Sequence, residues 1–413
     1  MTFSQSCFNL PYLGNNIKSK KFSDAKNKIL DCINSNKFGF IVDLYEKEFD
    51  YIRQVSDKLS KYEVVLFLGT GGSSLGGRTL VSYVRNFYYD VKRPRIFFIE
   101  NVDSIQIEGL LESLNLKKVS CVITSKSGET IETLSQFFLI KDKFEKKKIS
   151  IKNHFFIITE DKVSTLKKIQ ENEKITFIPH PLSIGGRFTV FSIVGLLPAL
   201  LAGFNIKNFC DGGKEFIQKI NDSNSFNKYF CPVFNLIELN KKKVNMSVIM
   251  PYVDALNNLS YWYRQLWAES IGKKKMGITP LNALGTVDQH SQLQLYLDGP
   301  KDKFFTIIAK DYLDSKNKLN CNYFKKNKFK ILHNKSMDEL LNAEMKATVE
   351  TLRKKKVPIR RILLNKMDEN SLGNLMMFFF LETIFGCFLI NVNPFDQPAV
   401  EEGKKLTRKY LNK

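Results

Sequence analysis

VVLFLGTGGSSLGG, residues 64–77, joins a short apolar run to a glycine-rich turn. An apolar run of that length, bounded by turn residues, is the mark of a strand buried on both faces. The same grammar recurs in RIFFIE (95–100), SCVITS (120–125), HFFIIT (154–159) and ITFIP (175–179). Each is followed by a Gly/Ser/Asp-rich turn or a helical pattern, such as Thr130–Lys143 after the third. Strand–turn–helix units in series predict an α/β protein, with a parallel sheet flanked by helices. The pattern returns in VNMSVIMPY (244–252), FFTIIAK (304–310) and PIRRILLN (358–365), which predicts a second α/β domain. The expected division is a helical segment over 1–44, a first domain over 45–185 and a connecting helix over 186–204. A second domain over 205–395 and a basic helical tail over 396–413 complete it.

Composition narrows the function classes. The chain has 413 residues, 43% of them hydrophobic and 12% aromatic, as a globular protein of two or three domains would. Its formal charge of +21 favours anionic partners. The lysines, however, fall in scattered clusters such as Lys146–Lys148, Lys241–Lys243, Lys273–Lys275 and Lys354–Lys356. No aromatic-interleaved basic motif accompanies them, so they are read as a solvated surface and no nucleic-acid partner is expected. Seven cysteines spread from Cys7 to Cys387 without a C-x-x-C pair point to free thiols in a reducing compartment and to no zinc site. MTFSQSCFNLPYLGNN at the start has no signal-peptide pattern. The stretch 190–204 is short and carries Pro198, and 375–392 has Glu382 at its middle. Both are expected to be core helices rather than membrane spans, in a cytoplasmic protein.

Ligands of open parallel sheets bind at strand carboxyl ends, where helix N-termini present free N–H groups. Two strand ends here suit a phosphate. After VVLFLG, the glycines of Thr70–Gly77 allow close approach of backbone amides, and Ser73 can cap the next helix or donate to a ligand. No Gly-Lys-Ser/Thr follows, so the turn is not a nucleotide P-loop. After SCVITS come Ser125-Lys126-Ser127-Gly128-Glu129-Thr130, with hydroxyls and a lysine in one turn before a helix. Such donors fit a phosphate dianion and fit equally a capping turn serving only the backbone. Arg187 in IGGRFTVFS opens a buried helix and needs a partner, either a structural carboxylate or a developing oxyanion. In NNLSYWYRQLWAESIGKKK, Glu269 lies near the helix end with Gln265 one turn back on the same face. It is a candidate general base or an ordinary Glu paired with Lys273 four residues on. His290, one of four histidines, sits among glutamines in GTVDQHSQLQL. Its imidazole is either a satisfied structural group or a proton carrier.

Taken in order, GTGGSSLGG, SKSGETIET, GGRFTVFSIVGLLP, QLWAESIGK, GTVDQHSQLQL and NPFDQPAVEEGKKL resemble the glucose-6-phosphate isomerase (phosphoglucose isomerase) family. The resemblance spans about residues 60–410; the six motifs in order, Gln-His-Ser and Val-Glu-x-Gly-Lys among them, are specific to the family, and the compact chain looks like a bacterial-type member. It implies two sugar-isomerase-type (SIS) domains and reversible isomerisation of glucose 6-phosphate and fructose 6-phosphate through a cis-enediolate, in glycolysis and gluconeogenesis, with no metal or organic cofactor. Phosphate would be held by Ser73, Ser125, Lys126, Ser127 and Thr130. The sugar would be held by Gln265, Gln397 and the backbone near Gly72. Glu269 would shuttle the proton between C1 and C2 while Arg187 steadies the enediolate. His290, helped by Lys404, would open the ring, reaching over from the neighbouring subunit of a homodimer whose tails wrap each other. The chain departs from the family's pattern at Glu129, where the phosphate loop commonly carries threonine, and at Thr70, where isoleucine is usual. Competing readings are a non-catalytic sugar-phosphate sensor on the same domains, a dual isomerase also taking mannose 6-phosphate, and a nucleic-acid binder with strongly salt-dependent affinity.

Overall fold

In the computed structural model, which describes residues 2–12, 19–46, 48–85, 92–320 and 328–412, the strands form two five-stranded sheets. In chain order they are β1 (Phe3–Phe8), β2 (Val64–Leu68), β3 (Arg95–Ile99), β4 (Val119–Thr124) and β5 (Phe155–Thr159). β6 (Thr176–Pro179), β7 (Met246–Pro251), β8 (Thr279–Asn282), β9 (Lys303–Lys310) and β10 (Ile359–Leu364) follow. The first sheet is parallel throughout, in the order β3-β2-β4-β5-β6. Every residue of β2, β4 and β5 is buried, which is why these strands read as unbroken apolar runs. The order reverses between β2 and β4, and the crevice outside that reversal is where doubly wound sheets bind ligands.

The second sheet has the order β1-β10-β9-β7-β8. Its four strands β7 to β10 are parallel and wound in the same sense as the first four of the other sheet. Two of its strands escape the sequence pattern. The start of the chain is not helical throughout, because Phe3–Phe8 pairs antiparallel with β10 before the helices Lys20–Asn34 and Gly39–Tyr45. Its alternation is weak, with only Phe3 fully buried, and what fixes it is the open edge of a strand some 350 residues away. β8, four residues containing Pro280, is an edge strand, the position where a missing N–H is tolerated.

Both apolar stretches are core helices. Ile193–Ala202 is buried over nearly its whole length, and Glu369–Leu389, although long and apolar enough to cross a membrane, is enclosed by the protein. Glu382 on that helix meets Arg360 of β10 in a buried ion pair, and Arg360 also donates to Thr306 of β9 at 3.0 and 3.2 Å. A carboxylate at that depth is held only by such a partner. The tail helix Glu401–Leu411 differs, having no buried residue and leaving Leu406, Tyr410 and Leu411 exposed on the single chain.

Candidate active site

Helix Asn257–Ile271 lies between β7 and β8 in sequence. Leu259, Trp262, Tyr263, Leu266 and Trp267 are buried at helical spacing, which turns Gln265 and Glu269 to the opposite, accessible face. Their side chains meet there, Gln265 Nε2 donating to Glu269 Oε1 at 2.9 Å.

Arg187 comes from the turn Gly186–Phe191, just ahead of the core helix Ile193–Ala202, and its side chain is 2% exposed. All five of its N–H donors are used. Nε donates to Ser270 Oγ at 2.8 Å, and Nη1 to Glu269 Oε2 at 3.2 Å and Gln397 Oε1 at 2.8 Å. Nη2 donates to the carbonyls of Pro394 and of Asp396, the latter at 3.1 Å. Burial pulls the guanidinium down from its ordinary value and the Glu269 carboxylate opposes that pull, so the group stays charged. Of the alternatives the sequence left open for Glu269, pairing with Lys273 does not occur. Lys273 reaches Asp396 at 3.0 Å instead.

The glycine turn after β2 closes against this cluster. Gly71 has φ +58°, and a Cβ on it would lie 2.7 Å from Gln265 Nε2. A Cβ on Gly72 would come within 2.1 Å of the Gly186 carbonyl oxygen, so these two backbones touch as only glycines permit. The Thr189 hydroxyl, 2.7 Å from the Gly72 carbonyl, ties the same contact. Ser73 ends the short 3-10 turn Gly71–Ser73, half-buried beside it.

One strand across the order reversal, β4 leads into Ser125–Thr130. Ser125 is buried, its Oγ 2.9 Å from Thr130 Oγ1 and accepting the Gly128 N–H at 3.1 Å. Ser127 Oγ accepts the Glu129 N–H at 3.2 Å. Thr130 heads the helix Ile131–Lys146 without a side-chain cap bond. Lys126 Nζ lies 3.6 Å from the buried carboxylate of Glu160, which also pairs with Lys162. Nothing in the sequence pattern points to Glu160 in this role.

Glu129 turns away from its loop. Its carboxylate accepts the Thr165 N–H at 2.6 Å and the Thr165 hydroxyl at 2.9 Å, at the start of helix Thr165–Asn172. Those bonds hold its carboxyl below the usual range. Replacing Glu129 by Ala therefore removes a helix cap and lowers stability by about 1 kcal/mol. In a urea titration that loss is present at neutral pH and shrinks as acid protonates the wild-type carboxyl. KM changes less than about threefold, because the side chain serves a helix and not the loop.

Behind the same strand ends, His180 is buried, its backbone N–H donated to the Thr159 carbonyl at 2.9 Å. Burial drives its imidazole from 6.5 down to about 4. A folded pKa below the unfolded one means that the unfolded chain binds the extra proton first as pH falls. His180 thus costs nothing above pH about 6.5 and removes up to about 3 kcal/mol of stability between there and pH about 4. The difference in stability between wild type and His180→Gln, measured by urea at pH 7.5 and pH 4.5, should shift by most of that amount in favour of the variant at low pH.

The remaining two predicted residues stand apart on the single chain. His290 is exposed at the end of the turn Val287–Gln289, and among the described residues its ring makes no hydrogen bond to the Arg187 cluster. Lys404 is exposed on the tail helix, paired with Glu401 at 2.7 Å. Ser270 and the carbonyls of Pro394 and Asp396, the other acceptors around Arg187, were not singled out by the sequence. Their signal was position alone, beside Glu269 and Gln397 in motifs already recognised.

Two five-stranded α/β sheets, with a basic–hydroxyl loop at one strand reversal and a buried arginine against a carboxylate, make this an α/β protein with its polar cluster at the strand ends. The chain belongs to the phosphoglucose isomerase family, whose model matches residues 57–413. It is 32% identical to a probable glucose-6-phosphate isomerase of Methanococcus maripaludis, covering 98% of this chain and 92% of that one. A glucose-6-phosphate isomerase of Methanocaldococcus jannaschii is 33% identical, covering 94% of each chain. Among solved structures, a hypothetical protein from Thermus thermophilus superposes with a TM-score of 0.84 at 28% identity, over 94% of each chain.

Proposed function

We propose that this chain interconverts glucose 6-phosphate and fructose 6-phosphate, and that the cluster around Arg187 is where it does so. The observation that carries this is the meeting, on one guanidinium, of side chains from three remote segments: Glu269 and Ser270, Gln397, and Arg187 itself. The phosphate would sit on Ser73, Ser125, Lys126, Ser127 and Thr130, with Gly72, Gln265 and Gln397 holding the sugar. Glu269 takes the C2 proton of the open-chain aldose and returns it to C1, while a hydroxyl proton passes from O2 to O1. As the carboxylate takes that proton it loses its charge and the substrate gains one. Arg187 already faces the carboxylate, so the positive charge needs no rearrangement to serve the enediolate. The Glu269 contact, at 3.2 Å the longest of its bonds, is the one a developing oxyanion would replace.

Ring opening falls to His290, helped by Lys404. Both are exposed on the single chain, and the tail carries the uncovered apolar residues Leu406, Tyr410 and Leu411. These features support a homodimer in which one copy's histidine completes the other's site. No metal or organic cofactor enters this chemistry. A coupled assay of purified protein tests the reading. Turnover is expected in EDTA, with specific activity falling on dilution as the dimer dissociates. A folded dimer without turnover contradicts the reaction, and full activity in a monomer contradicts the shared site.

A further inference from the structure

Arg187 draws three of its five acceptors, Gln397 Oε1 and the carbonyls of Pro394 and Asp396, from one short turn. That turn is a connection between the core helix Glu369–Leu389 and the exposed tail, and it has no regular structure of its own from Asn391 to Gln397. Something must hold it at hydrogen-bond precision. Lys273 does so through acceptors of its own. Its Nζ donates to the Asn393 carbonyl, to the Ser270 carbonyl at 2.8 Å and to Asp396 Oδ1 at 3.0 Å. An ammonium has three N–H donors, and here three acceptors meet them. The side chain is 10% exposed, so these bonds form largely out of water, where they are stronger. Lys273 in turn holds the Asp396 carboxyl below its usual range. Lys274 adds a second tie, to the Asn391 carbonyl at 3.0 Å.

We infer that Lys273 is a positioning residue of the isomerase. It clamps the turn 393–396 to the end of the helix bearing Glu269, so that Arg187 and Gln397 are aimed at the reacting carbons. The inference rests on the proposed reaction, and it gives a purpose to the lysine closing QLWAESIGK, which no other role has absorbed. Among the described residues, the Lys273 ammonium bonds to Ser270, Asn393 and Asp396 and to none of the residues proposed to hold phosphate or sugar, so its loss should act on the transition state more than on substrate binding.

The experiment compares Lys273→Met, Lys273→Arg and Asp396→Asn with wild type, whose own turnover first establishes the reaction independently. Lys273→Met keeps the stem and is expected to lower kcat about 30-fold with KM within about threefold. Lys273→Arg should regain part of that, and Asp396→Asn, which leaves the lysine in place, should lose about 5-fold. Two phosphorylated inhibitors supply the readout that a structural role would not move. A planar sugar-hydroxamate phosphate, shaped like the enediolate, should bind Lys273→Met about as many fold more weakly as kcat has dropped. Glucitol 6-phosphate should bind within about twofold of wild type. Equal weakening of both inhibitors, or kcat within twofold of wild type in Lys273→Met, overturns the inference while leaving the wild-type activity standing. Should Lys273→Met fail to fold, Asp396→Asn carries the same comparison, and wild-type kcat in that variant overturns it.

Discussion

Glu269→Gln should lower kcat by about 10³-fold or more, some 4 kcal/mol of barrier, with KM within about threefold. Glutamine has nearly the same shape, and its one oxygen can still accept from Arg187; its NH2 replaces the oxygen that accepted from Gln265, and a flip of the Gln265 amide restores that contact in reverse, so the site should keep its form. What disappears is a group able to take a proton from carbon. The result also separates two accounts of the carboxylate. Were Glu269 only the structural partner of a buried arginine, the variant would lose stability and keep its rate, since removing the anion exposes the cost of Arg187's burial. A modest loss of stability is expected in either case. Only the catalytic role predicts the collapse of kcat. Steady-state kinetics at saturating substrate, beside a urea titration of the same preparation, distinguishes them.

Arg187→Ala carries the second large effect. Five hydrogen bonds vanish together, and their acceptors lie on the helix bearing Glu269 and on the turn before the tail. Loss of a preorganised donor at a developing oxyanion costs about 10²–10³-fold in kcat, and loss of the whole guanidinium should reach the upper end. Stability should fall by about 2 kcal/mol, below the range for a fully buried pair because the Glu269 side chain is 34% exposed and recovers some water. Arg187→Lys restores the charge without the planar fork, so it should recover stability more than rate. A variant that kept wild-type kcat would show that the buried cation is scaffolding.

Much of this was legible in the sequence for physical reasons. β2, β4 and β5 are buried on both faces and so announce themselves as apolar runs, and the turns after β2 and β4 must carry glycines and hydroxyls wherever backbone and ligand come close. β1 does not read as a strand because an edge strand is defined by its partner, and β10 is far off in the chain. Glu129 shows as an unwelcome charge in the phosphate loop, yet the direction of its side chain depends on Thr165, whose place beside the loop comes from β5 lying next to β4. The partner of Glu269 is open, on sequence, between Lys273 and something distant. Helical spacing favours the lysine, and tertiary packing gives the carboxylate to Arg187 and the lysine to Asp396. Motifs locate the residues, and only the fold says which of them meet.

Isomerisation in deuterium oxide tests the central claim most directly, with the label at C2 of glucose 6-phosphate followed by NMR. A carboxylate that carries the proton between C1 and C2 exchanges part of it with solvent, so wild type should place deuterium at C2 as the reaction runs. Glu269→Gln, folded and still binding glucitol 6-phosphate, should place none above background. Turnover by wild type without any deuterium entering carbon, or undiminished labelling by Glu269→Gln, would contradict the account.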